Sequence, residues 1–403
     1  MSLPLFVWSI AAVSTLGVII RPFKLPEAVW AVLGALALCL FSLIPWAEAG
    51  KAIDKGTDVY LFLTGMMIAS ELARKEGLFD FLAALAARQA NGSAKGLFFL
   101  VYLVGVVVTV FMSNDATAVV LTPAVLAVTR AVKVEKPLPY LYICAFISNA
   151  ASFVLPISNP ANLVIFQDRM PGLLDWLARF SLASVAAIVV TFVMLYWMVR
   201  KDLPTKIERD IKVPELSSAG KLTGWGIIVM ALTMLTASTF NVQLGLPTFA
   251  AGVLLFALAC LQQRSFLAGH LKDISWSVLP LVAGLFVLVE GLQATGVIGH
   301  LAEILRAAEK QSIAQATWWS GLIVAFGSNL VNNLPAGLIA GSAVADTKVS
   351  VKVVSAILVG VDLGPNLSVT GSLATILWLN ALRREGVEVG AWSFLSKRPA
   401  KAS

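Results

Sequence analysis

Apolar runs of about 17–25 residues recur along the whole chain, each long enough to cross about 30 Å of hydrocarbon. No other property restricts the fold so strongly. With 58% apolar and 13% charged residues, the composition lies outside the range of a soluble domain. The expectation is an all-α polytopic membrane protein, multi-pass in a bacterial inner membrane. The first run, LPLFVWSIAAVSTLGVII, has no charged n-region and no Ala-x-Ala site, and is read as a retained helix rather than a signal peptide.

The net charge of +7 would suggest nucleic acid for a soluble protein. In a membrane protein it follows from Lys and Arg collecting in cytoplasmic loops, so no nucleic-acid partner is expected. Cys39, Cys144 and Cys260 are scattered among apolar neighbours, without the spacing of a disulfide framework or a thiolate metal site. His270 and His300 form no ligand pattern and read as interfacial residues. No cofactor or metal is called for, and nothing points to an enzyme.

The one shift in composition is residues 200–221, RKDLPTKIERDIKVPELSSAGK, a charged segment with two prolines. It divides the chain into 1–199, a first transmembrane repeat, and 222–403, a second. Set against each other, FLTGMMIASELARKEGLFDFLA (62–83) and LVAGLFVLVEGLQATGVIGHLA (281–302) match Gly65 with Gly284, Glu71 with Glu290 and Gly77 with Gly296 at one spacing. Further on, MSNDATAVVLTPA faces GSNLVNNLPAGLI. Two registers stay open there: Ser113-Asn114 on Ser328-Asn329, or Asn114-Asp115 on Asn332-Asn333. Last, NAASFVLPISNPAN (149–162) faces DLGPNLSVTGSLAT (362–375). Each half thus reads as a long helix, an interrupted hairpin and a broken helix.

If 113–117 and 328–335 are tips of re-entrant hairpins and the 200–221 linker is cytoplasmic, 22 of the 30 Lys and Arg fall inside and 8 outside. The inside loops are then 21–24, 74–95, 130–136, 200–221, 264–272 and 383–401. The two halves run in opposite senses, which makes them inverted repeats, and the N-terminus lies outside.

A helix interrupted in hydrocarbon leaves N–H and C=O groups to be satisfied by protein or by a water-filled cavity. Tips and breaks from opposite sides would meet near the midplane, where helix termini and unwound carbonyls bind solutes and ions. Asn, Ser and Thr both donate and accept hydrogen bonds. The candidate substrate-binding residues are therefore Ser113, Asn114, Thr117, Asn149, Ser158, Asn159, Asn162, Asn329, Asn332, Asn333, Asn366, Ser372 and Thr375. Asp115 and Asp362 are the candidate proton-coupling residues, since an intramembrane carboxylate is costly unless it functions. Helix capping is the competing reading for any one Asn or Ser. Glu71 lies close to Arg74 and Lys75, and a symmetric structural role fits it and Glu290 as well as transport does.

These motifs resemble those of the ion transporter superfamily, and within it the bacterial arsenite/antimonite efflux permeases. The resemblance is carried by NDATAVVLTP (114–123), ASFVLPISNPANLV (151–164), SNLVNNLPAGL (328–338) and VDLGPNLSVTGSLATILWL (361–379), and it extends over roughly residues 25–395. It implies secondary active export of arsenite and antimonite, as neutral trihydroxides, in exchange for protons. For some members it also implies a cytosolic arsenite-stimulated ATPase partner, and a homodimer. Asp115 stands where dicarboxylate transporters of the superfamily have Thr, and Asp362 where sodium/proton antiporters have Asn. Both departures favour a titrating carboxylate over an all-neutral sodium site. In another departure, VGAWSFLSKRPAKAS is too polar and short for the final spanning helix of the family, whose counterpart in the first repeat is 175–199.

A neutral trihydroxide offers only hydroxyl donors and acceptors, which a cavity of amides and hydroxyls suits. A carboxyl group removed from water can hold a proton near neutral pH. The alternative is a sodium/proton antiporter or anion transporter of the same superfamily. The core segments show no Arg or Lys to pair with an anion. An intramembrane aspartyl protease would need a Gly-x-Gly-Asp context that GVDLGP does not supply.

Overall fold

A computed structural model describes residues 3–166, 169–209, 211–262, 272–345, 347, 349–368, 371–387 and 389. The ordered elements among them are helical. Helices α1 (Leu3–Ile20) and α2 (Glu27–Leu40) form a hairpin, followed by the short α3 (Trp46–Lys55). Then come α4 (Thr57–Lys75), α5 (Leu78–Gln89), α6 (Ala94–Phe111), α7 (Asn114–Ala116) and α8 (Thr122–Ala131), the last two joined by a π-helical stretch, Thr117–Leu121. The first half ends with α9 (Leu138–Ala150), α10 (Pro160–Phe166) and α11 (Leu173–Val199).

The same order recurs after the linker. A hairpin of α12 (Ser218–Thr239) and α13 (Gly245–Gln262) precedes α14 (Val278–Ala294), α15 (Val297–Gln311), α16 (Ile313–Val331) and α17 (Asn333–Ala345). It closes with α18 (Val351–Leu363) and α19 (Leu373–Arg384). By length and composition five helices can cross a membrane, or six with α14 and α15 taken as one span bent by 73°. Residues 390–403, with most of the polar C-terminal stretch, lie outside the described residues, as does His270.

The two long helices read from 62–83 and 281–302 are each two helices. Gly77 and Gly296 sit at φ 71° and 80°, a left-handed geometry that ends one helix and turns the chain before the next begins. The other matched glycines serve close packing. A Cβ on Gly65 would fall on the backbone of Thr248 in α13, and one on Gly284 would fall on the backbone of Ala31 in α2. Helix α13 therefore runs along α4, and α2 runs along α14. Backbone approach of this kind is how helices associate where lipid removes the hydrophobic drive.

Around these pairs, α11 presents Leu182, Val193, Met194 and Trp197 outward, an apolar surface suited to lipid. The amphipathic α3 buries Ala49 and Ala52 and exposes Glu48 and Lys51. Breaks in the helical order sit deep in the bundle, and they position the site.

Candidate functional site: a hairpin cavity and two crossed helix breaks

The first hairpin turns at Met112 and Ser113. Ser113 is extended, and its Oγ accepts from the Ala116 N–H at 3.1 Å, capping the returning helix. Pro123 has no N–H to donate, and the π-helical stretch before it absorbs the missing ladder bond. Thr117 Oγ1 lies 2.8 Å from Thr109 Oγ1, which ties the two arms together. The second hairpin turns at Asn332, at φ 74° and ψ 153°, and its Oδ1 accepts from the Leu334 N–H at 3.3 Å. That backbone region is strained for a side-chain-bearing residue.

These turns settle the register differently from either sequence pairing. The helices restart at Asn114 and Asn333, so Ser113 corresponds to Asn332 and Asn114 to Asn333. The offset is 219 residues, the same as between Glu71 and Glu290. Sequence matching missed it because Asp115 then faces Leu334, two residues with no chemical likeness.

The breaks in α9–α10 and α18–α19 cross. Asn149 and Asp362 each stand one residue before the end of their helix, and Asn159 and Ser372 each stand just before the restart. Asn159 Nδ2 donates to Asp362 Oδ1 at 2.8 Å, while its Oδ1 accepts from the Ala161 N–H. Asn149 Nδ2 donates to Asn366 Oδ1 at 3.0 Å and reaches Thr375 Oγ1 at 3.4 Å. Thr375 Oγ1 is in turn 2.8 Å from Ser372 Oγ, the cap of α19. The second hairpin joins through Asn333, whose N–H donates to the Gly371 carbonyl at 2.8 Å.

Other candidates brace the unwound backbone. Asn162 Nδ2 donates to the carbonyls of Ser152, Leu155 and Pro156, within the first break. Ser158 Oγ donates to the Val110 carbonyl at the end of α6, and Asn329 Nδ2 donates to the Gly364 carbonyl in the second break. Trp176 and Trp378, whose roles the sequence did not suggest, donate their indole N–H groups to the Phe153 and Leu141 carbonyls. These bonds meet the demand that backbone freed at membrane depth find partners within the protein.

Asp115 is placed differently. Its Oδ1 is sheltered and has no hydrogen-bond partner among the described residues, as is also true of Asn114 Oδ1 and Asp362 Oδ2, but Asp115 alone of the two aspartates faces a cavity. Asp115 and Ser113 lie at a cavity of about 650 Å³ whose walls include Met66, Met67 and Ser70 of α4, Val119, Pro160, Val278 and Leu377. Glu71 and Asp273 also line it, and among the described residues no Lys or Arg does. Both of those carboxylates are paired: Glu71 with Arg74 at 2.6 Å, and Asp273 with Lys75 at 2.8 Å. Asp362, 1% exposed, does not line this cavity. The wall residues of α4 and Thr109 were not legible as site residues, because their part depends on contacts between elements distant in sequence.

Membrane-crossing helices around crossed breaks, with a cavity lined by Asp115, define a multi-pass transporter of the inner membrane. The chain belongs to the citrate transporter family, whose sequence pattern matches residues 6–360. It is similar to the arsenical pump membrane proteins of several bacteria. One from Escherichia coli is 28% identical over 378 residues, covering 90% of this chain and 87% of the relative. That of Escherichia coli strain K12 is 29% identical over 343 residues, covering 82% and 79%. That of Yersinia enterocolitica is 28% identical over 344 residues, with the same coverage.

Proposed function

We propose that the chain exports arsenite and antimonite as neutral trihydroxides, in exchange for protons, with Asp115 as the proton carrier. One observation carries the reading. The cavity is lined by a carboxylate with an unpartnered oxygen, and among the described residues no cation lines its walls. Citrate, the solute in the family's name, would meet the carboxylates of Asp115, Glu71 and Asp273 without a guanidinium or ammonium among the described lining residues to pair with. A neutral polyhydroxyl solute meets hydrogen-bond partners instead. The relatives named as arsenical pumps supply the choice among such solutes.

In this reading the halves 1–199 and 222–403 are inverted repeats joined by a cytoplasmic linker, and the Asp115 cavity opens to the cytoplasm. A solute binding there displaces the Asp115 proton, or the proton displaces the solute, and only the exchange is productive. One proton charge moving through about 100 mV contributes roughly 2.3 kcal/mol to export of a neutral solute. The experiment is uptake of arsenite into everted vesicles with an imposed proton gradient, a sodium gradient, or neither. Uptake driven by protons and indifferent to sodium is the expected result. Uptake of citrate in place of arsenite, or strict dependence on sodium, would overturn it in favour of an anion or sodium-coupled transporter.

A further inference from the structure

A second pocket repeats the first one at the same offset. It is open to solvent, takes in about 490 Å³ of space, and is lined by Phe286, Val289 and Glu290 of α14 and by Leu338 of α17. Each lies 219 residues after a residue lining the Asp115 cavity: Met67, Ser70, Glu71 and Val119. Four correspondences at one spacing, on two different helices, make the second pocket the counterpart of the first in the other half of the chain.

The two differ in what fills them. Among the described residues no cation lines the Asp115 cavity, whereas Lys55 of α3 reaches into the second pocket and places its ammonium 2.7 Å from Glu290. At the same side, the rings of Tyr60 and Phe286 meet edge to face, with centroids 6.2 Å apart, joining α4 to α14. At the other end of these helices the Asp115 cavity separates Met66 and Ser70 from Ile274 and Val278. One side of the α4–α14 pair thus carries a cavity lined by Asp115, and the other carries an aromatic bridge and the Lys55–Glu290 pair.

We propose that the second pocket is a vestibule on the outer side for the same small polyhydroxyl solute, and that Lys55 is its removable plug. Beyond Glu290, Gln293 and Ser342 bring an amide and a hydroxyl to the lining, the chemistry that a neutral trihydroxide needs. In the present state Lys55 holds the Glu290 carboxylate and so keeps it from accepting hydrogen bonds from a solute. Release of Lys55 frees the carboxylate as an acceptor as the outer side opens. The inference rests on the exporter reading for its solute and for its sidedness.

The test introduces Ser342→Cys, with Gln293→Cys as a second reporter, and follows reaction with a membrane-impermeant thiol reagent added outside intact cells. The native cysteines give the background rate. Lys55→Met should raise the labelling rate at least fivefold, and Lys55→Glu combined with Glu290→Lys should return it to near the parental rate. Boric acid, a neutral trihydroxide that does not bond to thiols, should slow labelling in the Lys55→Met background. Unchanged labelling in Lys55→Met, or faster labelling that the charge swap leaves in place, overturns the plug. Labelling indifferent to boric acid overturns the vestibule. None of these readouts needs arsenite transport. A failed exporter reading would show separately, as parental vesicles that do not take up arsenite.

Discussion

The two hairpin tips occupy equivalent places and carry different chemistry. In the first, Ser113 turns the chain and is followed by Asn114 and Asp115; in the second, Asn332 turns it and is followed by Asn333 and Leu334. Asp115 keeps an oxygen without a partner beside a cavity, while Asn333 spends its N–H on the Gly371 carbonyl. The second half carries its carboxylate elsewhere, at the break between α18 and α19. There Asp362 is bonded by Asn159 from the opposite break. Asp115 lies at the cavity, whereas Asp362 is tied into the crossing through one oxygen and keeps the other, Oδ2, without a partner among the described residues. A similar place in the fold therefore does not imply similar surroundings, and it is the cavity that distinguishes the two carboxylates.

The largest effect expected of any single change is at the free carboxylate. Asp115→Asn keeps shape and removes titration, and proton-driven arsenite export should fall by about 100-fold or more, the scale of a lost proton transfer. Asp362→Asn should retain most of the export rate, because an amide can still accept from Asn159. Equal losses in the two variants, measured in everted vesicles, would erase the distinction between the two carboxylates.

Asn159→Leu sharpens the other side of the comparison. It removes the amide donor from a carboxylate that is 1% exposed, and an abandoned buried charge costs about 3–5 kcal/mol. Thermal unfolding of the purified protein should show a clear drop, and adding Asp362→Leu in the same chain should recover part of it. No recovery would mean that Asn159 holds the break by some other contact.

Smaller again is the effect of filling the helix crossings. Gly65→Val and Gly284→Val each push a side chain into a neighbouring backbone, at a cost of about 1–3 kcal/mol. Similar losses are expected for both, since α4–α13 and α14–α2 are packed alike. A cost confined to one of them would break the equivalence of the halves. The smallest expected effect is none: citrate, succinate, arsenate and chloride should leave arsenite export unchanged, because no Lys or Arg among the described residues lines the Asp115 cavity. Competition by citrate would move the solute to the anion class.

Much of this architecture is written locally in the chain. Apolar run length marks the spanning helices, and clustered Asn, Ser, Gly and Pro mark where helices stop at depth. Gly77 and Gly296 are visible as a matched pair, though the bends they make are not, since a left-handed residue ends a helix without changing its apolar character. The tip register escaped notice because it rests on backbone angles at Ser113 and Asn332 rather than on side-chain likeness. Asn162 and Ser158 look like ligands in the sequence and serve carbonyls in the structure. Conversely Lys55, outside every repeat match, meets Glu290 across 235 residues. Polar residues at membrane depth can be picked out from sequence; their partners are fixed by long-range packing and cannot.

The central claim is that Asp115 exchanges a proton against the solute. The most direct measurement is the number of protons released when arsenite binds, from calorimetry of the purified protein in buffers of different ionisation enthalpy. Linkage requires that a solute competing with a bound proton release it, so the parental protein and Asp362→Asn should each release up to about one proton. Asp115→Asn should bind arsenite and release none. Undiminished proton release in Asp115→Asn, or its loss in Asp362→Asn alone, would contradict the assignment.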